Sequence, residues 1–293
     1  MTITGIGLAF TLAAALGWAV FDALRKRLSR EISPVHLGLL LPLAQAPLLA
    51  LWAFSREPLG LPLACLWPLV ASALLNGLAL VLFLDALRLS PMSITIPLLS
   101  FTPVLSTTLA WVFRGQTPAL AQYAGAALVV GGAALLGGGS WRDLRASVRE
   151  PGVRRMALVA VLWSGTGVLD QLAVSRGAGA WYAPALTAVV ALLLFLWAAF
   201  RGQLRAFLGA VGPLVAQPLV AGTAVVIGAL ALAVQIEAFR WAPVGFIEVV
   251  KRGVGMASAI LLGRFVFGES LDGRKWVAVA LLTLGVGLVV GLR

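Results

Sequence analysis

Glu248, Lys251 and Arg252 stand inside an apolar run, A-P-V-G-F-I-E-V-V-K-R-G-V-G-M-A-S-A-I-L-L-G-R-F-V-F-G-E, that extends from Ala242 to Glu269. The run is long enough to cross a bilayer as a helix. At about 1.5 Å rise per residue, Lys251 falls roughly 12 Å from the helix start and Arg264 roughly 20 Å further on. The charges therefore lie near mid-depth of a hydrocarbon layer about 30 Å thick. An ionised side chain costs at least about 2.5–3.5 kcal/mol there. Residues at i, i+3 and i+4 share a helix face, so Glu248 neighbours both cations. One carboxylate neutralises one of them, which leaves this face about one positive charge in excess. Such a face should look into a protein-lined cavity. Two chemistries fit: an ionic lock between helices, or a binding site in which Lys251 and Arg252 meet an anionic group and Glu248 orients them.

Two acids recur at matching places in the chain. Asp22 has Arg25 at i+3 and reads either as a local surface pair or as a coupling acid. Asp170 has no basic residue after it until Arg176, so at that depth it must be protonated or paired with another helix. Intramembrane acids mark proton relays and substrate partners, and Asp170 is accordingly a candidate coupling residue. Trp18 and Trp163 precede these acids by one or two turns and are candidates to line the cavity. As single aromatics they serve equally well as packing residues. Asp85 with Arg88 and Glu237 with Arg240 are i, i+3 pairs at helix ends, read as structural.

The elements that must position these groups follow from composition. Residues are 61% hydrophobic and 11% charged, which identifies an all-α polytopic membrane protein. Ten spans are expected, at about 3–24, 33–54, 66–87, 91–113, 118–138, 153–173, 180–200, 211–238, 243–267 and 273–292. The first is a full-length span without a cleavage signature and is not read as a removable signal peptide. Cys65 is single, which excludes an internal disulfide and a thiolate metal cluster, and His36 is single too. No cofactor is expected, and no nucleophile–base arrangement points to an enzyme. The net charge of +11 comes mostly from Lys and Arg in short loops, where it sets orientation and does not suggest nucleic acid.

The chain repeats itself. Shifted by 152 positions, Ala86, Arg88, Pro91, Ser106, Leu109 and Phe113 match Ala238, Arg240, Pro243, Ser258, Leu261 and Phe265, with Asp85 over Glu237. After a one-residue insertion, Gly132, Leu135 and Gly138 match Gly285, Leu288 and Gly291. Gly17, Asp22 and Leu24 match Gly165, Asp170 and Leu172 more weakly. The expected division is a five-helix repeat over 1–138, a basic connecting loop over 139–152 and a second five-helix repeat over 153–293. An odd number of helices per half makes the repeats inverted, an arrangement that places transporter sites near mid-membrane. Opposite Glu248, Lys251 and Arg252 the first half has Ile96, Leu99 and Ser100, so the charge belongs to one half alone. Prolines 42, 47, 97 and 103 and the Gly253-Val254-Gly255 run are expected to kink helices two, four and nine. Glycine pairs such as Gly131-Gly132 and Gly285-x-Gly287 suit close helix packing.

A-L-R-L-S-P (Ala86–Pro91), P-V-L-S-T-T-L-A-W (Pro103–Trp111) and L-L-G-R-F-V-F-G-E (Leu261–Glu269) resemble the drug/metabolite transporter superfamily, in particular its ten-helix EamA-like members. The resemblance covers nearly the whole chain as a pattern. It departs at Gln116, where that family usually has Glu, and at Gly255, where helix nine usually has proline. V-V-K-R (Val249–Arg252) is similar to the Val-Lys-Arg run of the sugar-phosphate translocators, which implies a phosphate-holding role for Lys251 and Arg252.

Together these readings predict a secondary transporter in a bacterial inner membrane that moves a small, anionic metabolite by alternating access. Its partners would be that substrate, the lipid bilayer and a proton or counter-substrate. An exporter of amino acids or drugs, a flippase for a phosphate-headed lipid and a non-transporting partner subunit are the alternatives. Oligomeric state is left open.

Overall fold

The computed structural model describes residues 4–29, 31–90, 95–136, 150–267 and 273–291 of the 293-residue chain, and within these it is helical throughout. We number the longer helices α1 (Gly5–Leu28), α2 (Pro34–Arg56), α3 (Leu66–Leu89), α4 (Thr102–Arg114), α5 (Leu120–Leu136), α6 (Pro151–Ser175), α7 (Tyr182–Phe200), α8 (Pro218–Trp241), α9 (Val244–Phe267) and α10 (Gly273–Gly291). Seven of them, α1, α2, α3, α6, α7, α8 and α10, are long and apolar enough to cross a membrane. Of the others, α4 and α5 are shorter, at 13 and 17 residues, and α9 carries the charged cluster.

Local chemistry sets the helix ends. Thr4 caps α1 by accepting from Gly7 N at 3.1 Å, and Ser33 caps α2 by accepting from His36 N. Pro34, Pro151 and Pro218 open α2, α6 and α8, where a missing N–H is not needed. Gly115, in the left-handed region at φ 63°, closes α4 by donating to Ala110 O and Trp111 O.

The structure corrects two expectations about helix extent. α2 is one helix through Pro42 and Pro47, and α9 is one helix through Gly253 and Gly255, as a helix with a kink in it also is. The fourth span is not one helix. Its first part is a 3₁₀ segment, Ile96–Phe101, that passes into α4 at Thr102, which places the tighter winding around Pro97. The eighth span does not begin at 211 as one helix. Two short helices, Leu204–Gly209 and Val211–Val215, precede α8, which starts at Pro218. α6 begins at Pro151, two residues inside the stretch expected as the connecting loop. The rest of that loop, Pro91, and the side chains of Arg88 and Arg264 lie outside the described residues, as does the end of the Leu261–Glu269 motif.

Contacts between helix ends give the directions. The start of α1 meets the end of α8, where a Cβ on Gly7 would lie 2.8 Å from Trp241 O. The start of α3 meets the end of α6 through Cys65 Sγ, which donates to Ala173 O at 3.4 Å. Glu57, just past α2, accepts from Ala180 N just before α7. The start of α5 meets the end of α10, where Gly125 approaches Val289 and Gly285. The ends of α4 and α6 join through Arg114 and Ser175. The bundle thus has one end formed by the starts of α1, α3, α5, α7 and α9 and the ends of the other helices.

The strongest pairings are α3 with α6, α1 with α8, α5 with α10 and α2 with α7, followed by α1 with α9, α9 with α10 and α3 with α7. Exchanging each helix with the one five places away maps the first four onto themselves. Close approach is glycine-dependent at one member of each expected pair. A Cβ on Gly132 would lie 3.0 Å from Leu282, and one on Gly285 would lie 2.7 Å from Gly125 O, whereas Gly131 and Gly287 face open space. The exterior is apolar, with Phe200, Leu219 and Leu120 more than four-fifths exposed.

Candidate functional site

α9 buries its N-terminal turns completely. Phe246, Ile247, Val249 and Val250 are shielded from solvent, and Glu248 is 3% exposed between them. Lys251 Nζ donates to Glu248 Oε1 one turn back and, at 3.4 Å, to Gln235 Oε1 on α8. Arg252 turns the other way. Its Nε donates to Thr102 Oγ1 at 2.9 Å, where the 3₁₀ segment becomes α4, and its guanidinium lies 5.9 Å from the Trp163 ring of α6. Thr102 Oγ1 itself donates to Leu99 O at 2.7 Å, which orients its lone pairs toward Arg252. Gly167 of α6 lets the start of α9 approach closely, since a Cβ there would lie 3.0 Å from Val244 Cγ2, and Glu248 Oε1 lies at ordinary contact distance, 3.8 Å, from the same point.

One turn beyond Gly167, Asp170 is 4% exposed. It has no cation in contact. It accepts instead from Ser72 Oγ on α3 at 2.5 Å and from Tyr182 Oη at the start of α7 at 2.7 Å. Asn76 Nδ2 donates onward to Ser72 Oγ at 3.4 Å. Two hydroxyl donors from different helices therefore provide the partner that Asp170 requires. Lys251 and Glu248 are within electrostatic reach of this carboxyl. That proximity changes the charge count made on α9 alone: with Asp170 ionised the four groups sum to zero, and with Asp170 protonated they sum to +1.

The structure brings Glu248, Lys251, Arg252 and Trp163 together, with Asp170 alongside. It does not bring Trp18 or Asp22 to them. Trp18 packs in a separate apolar cluster, edge-on to Phe21 at 5.6 Å, with its Nε1 buried and unpartnered. Asp22 accepts from Arg25 Nη2 at 2.8 Å in a pair whose carboxylate is 56% exposed. Arg240 and Glu237 likewise pair, at 3.6 Å. Sequence reasoning missed Gln235, Thr102, Ser72 and Tyr182. Gln235 had a signal, an amide inside an apolar span, whereas the hydroxyls are unremarkable residues until neighbouring helices place them. Among the described residues, no group of three His, Cys, Asp or Glu side chains could hold a metal ion.

Residues 5–138 match the model of the EamA-like transporter family. No curated protein matches the sequence. A solved crystal structure aligns over 100% of both chains with a TM-score of 0.73 at 19% identity, a likeness of fold. With seven helices able to cross a bilayer and an apolar exterior, the chain is an integral membrane protein.

Proposed function

We propose that the chain is a secondary transporter of the drug/metabolite type, built from ten membrane-crossing helices in two inverted five-helix repeats. The family match over the first half supports this, as do the four strongest helix pairings, which survive exchange of helices five places apart, and the alternation of helix directions. Its substrate is a small metabolite bearing a carboxylate or phosphate. Lys251 and Arg252 are its counter-charges, Glu248 holds Lys251 in place, and Trp163 forms a wall beside Arg252.

The observation that carries this reading is the buried cluster itself. Two cations, one bound acid and one hydroxyl-bound acid sit in contact with α3, α4, α6, α7 and α8, in a bundle otherwise packed with apolar side chains. Desolvated charges are costly and mark substrate or ion pathways in membrane proteins. Protonating Asp170 makes the cluster net positive, so proton and anion would be taken up together and released together. Such a site couples the two through charge alone.

The contact between Lys251 and Glu248 favours a rival reading, an ionic lock without a substrate. A thermal-shift screen of metabolites on the purified protein separates them, since a ligand that binds only the folded state raises the melting temperature. Anionic metabolites should stabilise the wild type, and Lys251→Met and Arg252→Met should each weaken binding at least about tenfold while remaining folded. Stabilisation by amino acids, cationic drugs or phosphate-headed lipids alone would replace the substrate class. Wild-type affinity for the hit in both variants would remove this cluster from the site.

A further inference from the structure

At the bundle end where α4, α6 and α8 finish, a cavity of about 230 Å³ opens between them. Arg114, Gln116, Gln171, Ser175 and Arg240 line it. Arg114 Nη2 donates to Ser175 Oγ at 3.1 Å, but its Nη1 is shielded from solvent and has no partner. Gln116 Nε2 donates to Gln171 Oε1 at 3.1 Å, and Gln116 Oε1 is shielded and unpartnered as well. The Gln171 amide is already occupied, because its Nε2 donates to Ala242 O at 2.8 Å and to Phe239 O at 3.3 Å. Gln171 therefore frames the cavity, while Arg114 and Gln116 have bonding capacity to offer.

The charges are unbalanced. Arg240 is held loosely by Glu237, and Arg176 lies within electrostatic reach of Arg114 while its own Nη1 donates to Ala64 O. Two guanidinium groups, Arg114 and Arg240, thus line the cavity with no carboxylate in its lining. The sequence puts five basic residues at this end of the bundle, against fifteen in the loops at the other end, and two of the five meet here. Cations that served only to orient the chain have no reason to converge on a cavity. Planar guanidinium forks are suited to two-oxygen ligands.

We propose that this cavity is an oxyanion-binding vestibule. Arg114 and Arg240 take a phosphate or carboxylate group, and Gln116 Oε1 accepts from a hydroxyl or protonated oxygen of the same ligand. The oxyanion belongs either to a dissolved solute or to a lipid headgroup. The proposal does not rest on the role of Lys251 and Arg252.

Inorganic phosphate is the probe, titrated calorimetrically into the full-length protein in neutral detergent. It should bind the wild type, a Lys251→Met/Arg252→Met double variant should keep the part of that binding that does not depend on these two cations, and Arg114→Gln should weaken that part by about tenfold or more. Arg114→Lys should recover part of the loss. Arg240→Gln, whose head group is more open, gives the same reading if Arg114→Gln does not fold. Repeating the titration in phosphatidylcholine and phosphatidylglycerol nanodiscs separates the sources. Equal binding in both assigns a solute, and suppression by phosphatidylglycerol alone assigns a headgroup. Absence of phosphate binding in the wild type or in the double variant overturns the proposal, as does wild-type affinity in folded Arg114→Gln and Arg240→Gln.

Discussion

Arg252 Nε donates to Thr102 Oγ1 at 2.9 Å, which ties α9 to α4, the helix five places before it. The two are counterparts under the exchange that preserves the four strongest helix pairings. A cation on one is received at the other by a hydroxyl that has already donated its hydrogen to Leu99 O. The site is thus assembled across the two halves of the chain, and neither half contains it alone.

Thr102→Val should expose the worth of that link. It removes an acceptor from a charged donor and a donor from a buried carbonyl, and a bond to a charged group contributes about 1.5–3 kcal/mol. Denaturant unfolding should show a loss of that order, and Thr102→Ser should recover most of it. Stability equal to wild type in Thr102→Val would mean that Arg252 finds another partner.

Glu248→Gln should be more damaging than its small change in shape suggests. It leaves Lys251 buried with Gln235 as its remaining hydrogen-bond partner, and breaking a buried pair at one side costs about 3–5 kcal/mol. Adding Lys251→Met should restore the melting temperature but not anion binding. A double variant that recovers both would assign the pair to folding alone.

Asp170 is expected to respond in two separable ways. Ser72→Ala and Tyr182→Phe each delete one donor to a buried carboxylate and should each destabilise by about 1.5–3 kcal/mol. Their combined cost should differ from the sum, because both act on one group. Asp170→Asn should abolish accumulation driven by a pH gradient while leaving substrate exchange intact. Undiminished proton-driven uptake in that variant would end the coupling role.

Orientation follows from charge. The loops at the end opposite the vestibule carry fifteen Lys and Arg and those at the vestibule end carry five, so the positive-inside rule puts the vestibule outside and the basic end in the cytoplasm. The start of α1 and the end of α10 share the vestibule end of the bundle. A C-terminal reporter active only in the cytoplasm should therefore stay silent; a signal from it would invert the assignment.

How much of this was legible in the residues depends on the range of the interaction. The membrane-crossing helices were, because twenty apolar residues in succession report their environment without reference to any other part of the chain. So was the Glu248–Lys251 contact, which a helix of 3.6 residues per turn imposes on its own. Proline was a weaker guide. Pro42 and Pro47 leave α2 continuous, whereas the segment around Pro97 winds as 3₁₀, and the two cases look alike until neighbouring helices fill the gaps. Asp22 and Asp170 stand opposite one another when the two halves of the sequence are aligned, yet one is exposed beside Arg25 and the other is enclosed by Ser72 and Tyr182. No local pattern separates them. By itself the sequence determined that charge interrupts the apolar run of α9 and that an acid stands on α6. Only tertiary packing decided that Gly167 lets Val244 and the start of α9 approach α6, that Thr102 receives Arg252, and that Arg114 and Arg240 face one cavity. Each depends on side chains far apart in the chain meeting within a few ångströms, and one residue's place on its own helix carries no information about that distance.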